Sequence, residues 1–105
     1  LDPVFLNALH TEGPKAIAVV VDRKGSTPVK TGAIMCVNAL GQSFGTIGGG
    51  CGEHEVLRKA LEVLSDKKDM FLSVDMTNDF AGEEGMVCGG TMDVIIQYVP
   101  GKVEI

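Results

Sequence analysis

Ala16-Ile17-Ala18-Val19-Val20-Val21 is an unbroken apolar run dominated by β-branched residues. It is too short for a core helix, and it has the composition of a central strand buried on both faces. Such a strand needs a neighbour on each side and cover above and below, so this run dictates a sheet-centred domain. The polar turn Asp22-Arg23-Lys24-Gly25-Ser26-Thr27-Pro28 ends it. Beyond the turn, Ala33 to Val37 and Phe44 to Ile47 predict two short strands, joined as an antiparallel hairpin by Asn38-Ala39-Leu40-Gly41-Gln42-Ser43. Before the run, Asp2-Pro3 with Val4, Phe5, Ala8 and Leu9 predicts a short helix that Gly13-Pro14 stops.

The second half follows the same logic. Val56, Leu57, Ala60, Leu61 and Leu64 form one apolar helical face, with Glu55, Arg58, Lys59 and Glu62 turned to solvent. Ser65-Asp66-Lys67-Lys68-Asp69 closes that helix, and Met70 to Met76 reads as a strand. Thr77 to Gly90 is rich in Asn, Asp, Glu and Gly, and predicts a functional loop. Met92, Val94, Ile96 and Tyr98 mark a last strand that Pro100-Gly101 ends. The sum is an α/β or α+β domain over residues 1–105, with one mixed sheet of about five strands and at least two helices. At 105 residues the chain suits a single modest core.

A net charge of −5 without a long Lys/Arg run argues against a nucleic-acid or anionic-membrane partner. No apolar run reaches the roughly 18 residues that a membrane helix requires. Three cysteines, an odd count with no secretory leader, suit a reducing cytoplasm, so the thiols are expected to be free.

Two of those cysteines sit in glycine: Gly48-Gly49-Gly50-Cys51-Gly52-Glu53-His54, and Gly85-Met86-Val87-Cys88-Gly89-Gly90. Residues without side chains let a backbone approach a ligand closely. The first segment lies between a strand and a helix, so the amides around Gly50 to Glu53 point from a helix N-terminus and suit phosphate. That field also lowers the pKa of a thiol at Cys51, favouring the thiolate needed for a soft metal or for sulfur transfer. Cys88 repeats the composition at the entrance to the last strand, and two loops at strand ends can close on one cleft. Neither segment is a dinucleotide fingerprint or a P-loop, because no GxGxxG opens a first βαβ unit and no GK[ST] follows. A tight strand-to-helix connection explains the first segment equally well on composition alone. Cys36 lies mid-strand and reads as packed, Glu53 gains from the helix dipole whatever else it does, and His10 reads as a surface or cap residue. A zinc site from Cys51, His54 and Cys88 lacks a fourth ligand. Ser26, Thr27, Lys30 and Thr31, with Arg23 and Lys24 nearby, offer hydroxyl and ammonium donors after the central strand. No GxSxG elbow exists, and no residue is assigned a catalytic role.

Taken in series, Gly25-Ser26-Thr27-Pro28, Thr31-Gly32-Ala33, Gly45-Thr46-Ile47-Gly48-Gly49-Gly50-Cys51 with Glu53, and Cys88-Gly89-Gly90-Thr91-Met92-Asp93-Val94 resemble the N-terminal domain of the XdhC/CoxI family. These are maturation factors of xanthine and carbon monoxide dehydrogenases. The resemblance implies binding of the molybdenum cofactor (molybdopterin), and assistance with its sulfuration and insertion into a xanthine dehydrogenase-type apo-enzyme after a cysteine desulfurase has acted. It implies a cofactor chaperone and not an oxidoreductase, with a homodimer or partner-docking face. On that reading Cys51 and Cys88 coordinate molybdenum or its terminal sulfur. Gly49, Gly50, Gly52 and Glu53 hold the phosphate or pterin edge, and Ser26, Thr27, Lys30, Gly89 and Gly90 close the cleft. The alternative is a thiol-based sulfurtransferase or redox protein. Two departures stand out: many members carry basic residues where this chain has Val29 and Ile34, and the C-terminal Rossmann-like domain usual in the family is expected to be absent.

Overall fold

The computed structural model describes residues 3–77, 79–81 and 86–103. Helix α1 (Pro3–His10) leads into β1 (Lys15–Lys24), then β2 (Ile34–Asn38) and β3 (Ser43–Gly45). A 3-10 turn over Gly48–Gly50 precedes α2 (Glu53–Asp66) and β4 (Met70–Asp75). Two short strands, β5 (Asp79–Ala81) and β6 (Met86–Cys88), come before β7 (Thr91–Val99). The expected five-stranded sheet with two helices is present, in the order β3-β2-β1-β7-β4. β1 is central, as its composition requires. Where mixed pairing was expected, all four neighbouring pairs in this sheet are antiparallel. The physical reason is that β2 and β7 both run against β1, and β4 against β7, so no parallel crossover is needed.

Alternation along β1 divides its side chains between two layers. Ala16, Ala18 and Val20 face α2 and join Val94, Ile96, Met92, Val56, Ala60 and Val63 in the main core. Ile17 faces the other way, where α1 lays Phe5, Ala8 and Leu9 over Cys36, Ile34 and Phe44. α2 docks through Val56, Ala60 and Val63, an i, i+4, i+7 stripe. Leu61, expected on the buried face, is 45% exposed, because the helix is rotated to bring Val63 inward. Val4, expected on the apolar stripe of α1, is likewise exposed.

Local chemistry fixes the ends of these elements. The Asn38 side chain builds the β2–β3 turn: its Oδ1 accepts from the amides of Leu40 and Gln42, each at 3.0 Å, and its Nδ2 donates to Gln42 Oε1. α2 starts on Gly52 in the left-handed region without a side-chain cap, while Glu53 and Glu55 in its first turn complement the helix dipole. It ends on Lys67, also left-handed, whose amide donates to the Val63 carbonyl. Lys15, the first residue of β1, is almost fully buried. Its ammonium donates to the carbonyls of Thr11 (2.7 Å), Gly13 (2.9 Å) and Gly101 (2.8 Å), tying the start of β1 to the segment after β7.

Candidate functional site

The motif segments lie at one end of the sheet, where β1 exits and β7 enters. β1 carries a register shift between Val20 and Asp22, while Val20 also exchanges hydrogen bonds with the loop at Gly32 and Ala33. The loop 25–32 leaves from there. It meets the second glycine-cysteine segment through backbone and the first through the Val29 side chain. The Gly89 amide donates to the Ser26 carbonyl at 2.9 Å, and the Gly90 carbonyl accepts from Met76 at 2.9 Å. A Cβ on Gly25 would stand 2.8 Å from Gly90 Cα, and one on Gly90 would overlap the Lys24 carbonyl oxygen. On the other side, a Cβ on Gly48 would overlap the fully buried Val29 side chain.

Three of the four motif segments thus meet around the 25–32 loop: Gly25-Ser26 against Gly89-Gly90, and Val29 against Gly48. The glycines were expected to admit a ligand, but at Gly25, Gly48, Gly89 and Gly90 the group that comes close is the chain itself. Val29, one of the two departures from the basic pattern, serves here as an apolar plug, and Ile34 packs toward α1.

Gly52 links this end to the core. A Cβ there would lie 2.6 Å from Met92 Cε and 3.2 Å from Met76 Sδ. Cys51 beside it is fully buried in the main cluster and is disulfide-bonded, whereas Cys36 is a free, buried thiol. The expectation that the thiols are free therefore fails for Cys51. A cysteine in a disulfide offers no thiolate, so the field at the start of α2 acts on Cys51 only after reduction. The Cys88 side chain lies outside the described ones. Burial pushes the Cys36 thiol up, partly countered by the Lys15 ammonium.

The remaining expected site residues are distributed around this junction. Glu53 Oε2 accepts from the Thr46 hydroxyl at 3.0 Å, joining the third motif to the first turn of α2. Thr27 Oγ1 accepts from the Val29 amide at 3.2 Å, and the Ser26 and Lys30 side chains are exposed. Gly49 and Gly50 form the 3-10 turn that leads to Cys51. His54 is exposed. The stretch expected to be a loop from Thr77 to Gly90 contains the β5–β6 hairpin, while Asn78 and residues 82–85 lie outside the described residues. Among the described residues, no three His, Cys, Asp or Glu side chains gather to hold a metal ion. No described helix is long and apolar enough to cross a membrane.

The sequence did not single out the cavity on the sheet face opposite α2. It measures about 260 Å³ and is lined by Asp22, Arg23, Lys24, Ser73, Thr91 and Asp93. Asp22 and Asp93 are cross-strand partners there, and the Ser73 hydroxyl donates to Asp93 Oδ1 at 2.6 Å. Only the register shift in β1 brings Asp22 opposite Asp93, and nothing in the local sequence announces it.

Comparisons with known proteins identify the family. The XdhC and CoxI family matches residues 8–75. The Uncharacterized protein YqeB of Escherichia coli K12 is 41% identical over 83 residues, covering 79% of this chain and 15% of YqeB. The crystal structure of a xanthine dehydrogenase from Bacillus halodurans superposes with a TM-score of 0.73 at 29% identity, over 90% of this chain and 29% of that one. The chain therefore spans a minor part of either relative's length.

Proposed function

This chain belongs to the XdhC and CoxI family, and on that premise we propose that it binds the molybdenum cofactor as cargo and assists its sulfuration and insertion into an apo molybdenum hydroxylase of the xanthine dehydrogenase type. The observation that best supports this reading is the backbone junction of Gly25-Ser26, Val29-Gly48 and Gly89-Gly90. It gathers motifs from distant parts of the sequence at the end of the sheet where α2 begins. The chain acts as a chaperone in the cytoplasm, receiving cargo after a cysteine desulfurase has supplied sulfur.

Each residue has a chemical role in this reading. The amides of Gly49, Gly50, Gly52 and Glu53 meet the cargo's phosphate or pterin edge, as the positive end of a helix dipole favours anions. Ser26, Thr27 and Lys30 supply hydroxyl and ammonium donors from the adjoining loop. Gly89 and Gly90 hold the other wall against Ser26. Cys51 and Cys88, as thiolates, are soft donors toward molybdenum or its terminal sulfur. A dithiol must first reduce the disulfide at Cys51, so cargo loading is tied to the thiol state of the chain.

Retention of molybdenum cofactor by the purified, reduced chain through desalting tests the reading, with activation of an apo-hydroxylase as the second readout. Wild type should retain cargo, and Cys51→Ala should lose most of it while keeping the native unfolding transition. Failure of the reduced wild type to retain any cargo would sink the proposal. The disulfide at Cys51 also favours a second reading, a thiol-based sulfurtransferase or redox protein. Persulfide mass on Cys88 without cofactor retention would select that one.

A further inference from the structure

The cavity on the sheet face opposite α2 adjoins the motif junction, and we infer that it is a subsite for the 2-amino-4-oxo edge of a pterin, held by Asp93 and Asp22. This rests on the reading of the cargo as molybdopterin and gives its pterin end a place. Lys24 and Thr91 are the last cross-strand pair of β1 and β7, and the next residues are Gly25 and Gly90, which meet at the junction. The cavity therefore lies beside the motif segments. At about 260 Å³ it falls below the roughly 300–1,000 Å³ of pockets for drug-sized ligands, so it suits one flat bicycle and not the whole cofactor.

Its lining sorts into acceptors and donors by cross-strand row. Asp22, Asp93 and Ser73 make one row, and Lys24 and Thr91 lie in the next row toward the junction. The first row exists only because β1 bulges at Val21: in an unbroken register Val21 would oppose Asp93, and Asp22 would turn to the core side opposite Met92. Bulges re-aim side chains in this way beside functional sites. Two carboxylates set opposite each other repel, so the pairing costs the fold stability and favours a ligand rich in N–H donors. Each carboxylate is already oriented. The Ser73 hydroxyl donates to Asp93 Oδ1 at 2.6 Å and the Arg23 amide to Asp22 Oδ1 at 2.8 Å, which leaves both Oδ2 atoms without a donor among the described residues. Lys24 is one row away, yet among the described residues no ion pair joins it to Asp22 or Asp93. Opposite charges thus line one cavity without closing it.

A pterin matches this division. Its 2-amino group and the adjacent ring N–H present three hydrogens along one edge, and the neighbouring 4-oxo oxygen is an acceptor. A carboxylate offers about four lone-pair sites on two oxygens and accepts a parallel pair of N–H groups, as it does from arginine. Asp93, in the middle of its row and partly buried, takes the ring N–H and one amino hydrogen, and Asp22 takes the other amino hydrogen. Lys24 and Thr91 present donors for the 4-oxo oxygen. A ligand with acceptors on the same edge meets two carboxylates and is repelled. The pterin edge is thereby assigned to this cavity, and the phosphate to the amides before α2.

Titration of the reduced full chain at neutral pH with pterin and with lumazine, which carries a 2-oxo group in place of the 2-amino group, tests this up to about 1 mM ligand. Wild type should bind pterin at least roughly tenfold tighter than lumazine, because the exchange replaces donors facing Asp93 by an acceptor. Asp93→Asn should weaken pterin by roughly tenfold and invert the preference, since an amide offers one acceptor for the ring N–H and one donor for the 2-oxo group. Asp22→Asn should weaken pterin without inverting it. Both replacements are isosteric, and urea unfolding establishes that each variant folds. Guanine displays the same edge, so guanosine monophosphate is titrated alongside, and tighter binding of the nucleotide than of pterin overturns the assignment. So does a wild type that binds no pterin at about 1 mM, equal binding of pterin and lumazine, or an Asp93→Asn chain that keeps the wild-type preference. Retention of whole molybdenum cofactor separates the subsite from the wider reading. If wild type retains cargo and Asp93→Asn retains as much, only the subsite fails; if wild type binds pterin but retains no cargo, the chaperone reading fails and the pterin site stands.

Discussion

Replacing Lys15 by Met tests how this small domain secures the start of its central strand. The methionine keeps an apolar stem of similar length but removes the ammonium that donates to Thr11, Gly13 and Gly101 at 2.7–2.9 Å. Hydrogen bonds from a charged donor contribute about 1.5–3 kcal/mol each, and the desolvation of a buried ammonium costs several kcal/mol against them. The stranded carbonyls then decide the balance, since a buried acceptor without a partner costs about 1–3 kcal/mol. Because the three lie in connecting segments and some regain water, the expected net loss is about 3 kcal/mol. With a urea dependence near 1.5 kcal/mol per molar for a domain of this size, the midpoint should fall by about 2 M. The melting temperature should drop by roughly 15 °C. Amide exchange at Val103, whose N–H is bonded to the Leu9 carbonyl, should accelerate as well, since Lys15 fastens that segment. A midpoint shift below about 0.5 M would refute the reasoning, because it would mean that the three carbonyls lose nothing when the ammonium is gone.

Gly90→Ala should destabilise by about 2–4 kcal/mol in urea unfolding, because its Cβ meets the rigid Lys24 carbonyl at a φ of +89°. Gly52→Ala should cost about 1–2 kcal/mol, since the nearest atom is the terminal methyl of Met92, which can rotate away; equal losses for the two would count against the distinction. Stability should decline as pH rises above about 8.5, the unfolded thiol value, because burial raises the folded Cys36 pKa and its contribution is lost as pH climbs toward that value. Cys36→Ala should flatten the urea-midpoint profile between about pH 8 and pH 10, and parallel profiles would exclude Cys36 as a cause. Arg58→Ala, which removes an exposed pair with Glu55 at 2.7 Å, should change stability by less than about 1 kcal/mol.

Strand and helix periodicity made much of this fold legible in the sequence. The run from Ala16 to Val21 is central, the alternation from Met92 to Tyr98 is a strand beside it, and α2 starts and stops where its glycine and polar flanks indicate. What could not be read depends on tertiary placement. Leu61 and Val63 are both compatible with an apolar helical stripe, and only docking on β1 and β7 selects Val63. The burial of Lys15 has no local sequence signal, because the carbonyls that receive it come from segments distant in sequence. The glycines did signal close approach, but not that the approaching group is another part of the chain itself. Cys51 read as a free thiol because pairing depends on spatial proximity, to which sequence spacing is blind.

β7 enters the sheet last in chain order yet lies between β1 and β4. The stretch matched by the family ends at residue 75, where β4 also ends, before β7 begins. A chain halted there leaves β4 without a strand to pair with, and Ala18 and Val20 open along one side. The family match therefore outlines recognisable sequence and not an autonomous folding unit. On the ribosome, the centre of the sheet stays incomplete until Thr91–Val99 has emerged, and closure joins strands from opposite ends of the chain. Such non-local closure makes folding slower than that of helical domains of the same size, with the core face of β1 exposed until its final neighbour arrives.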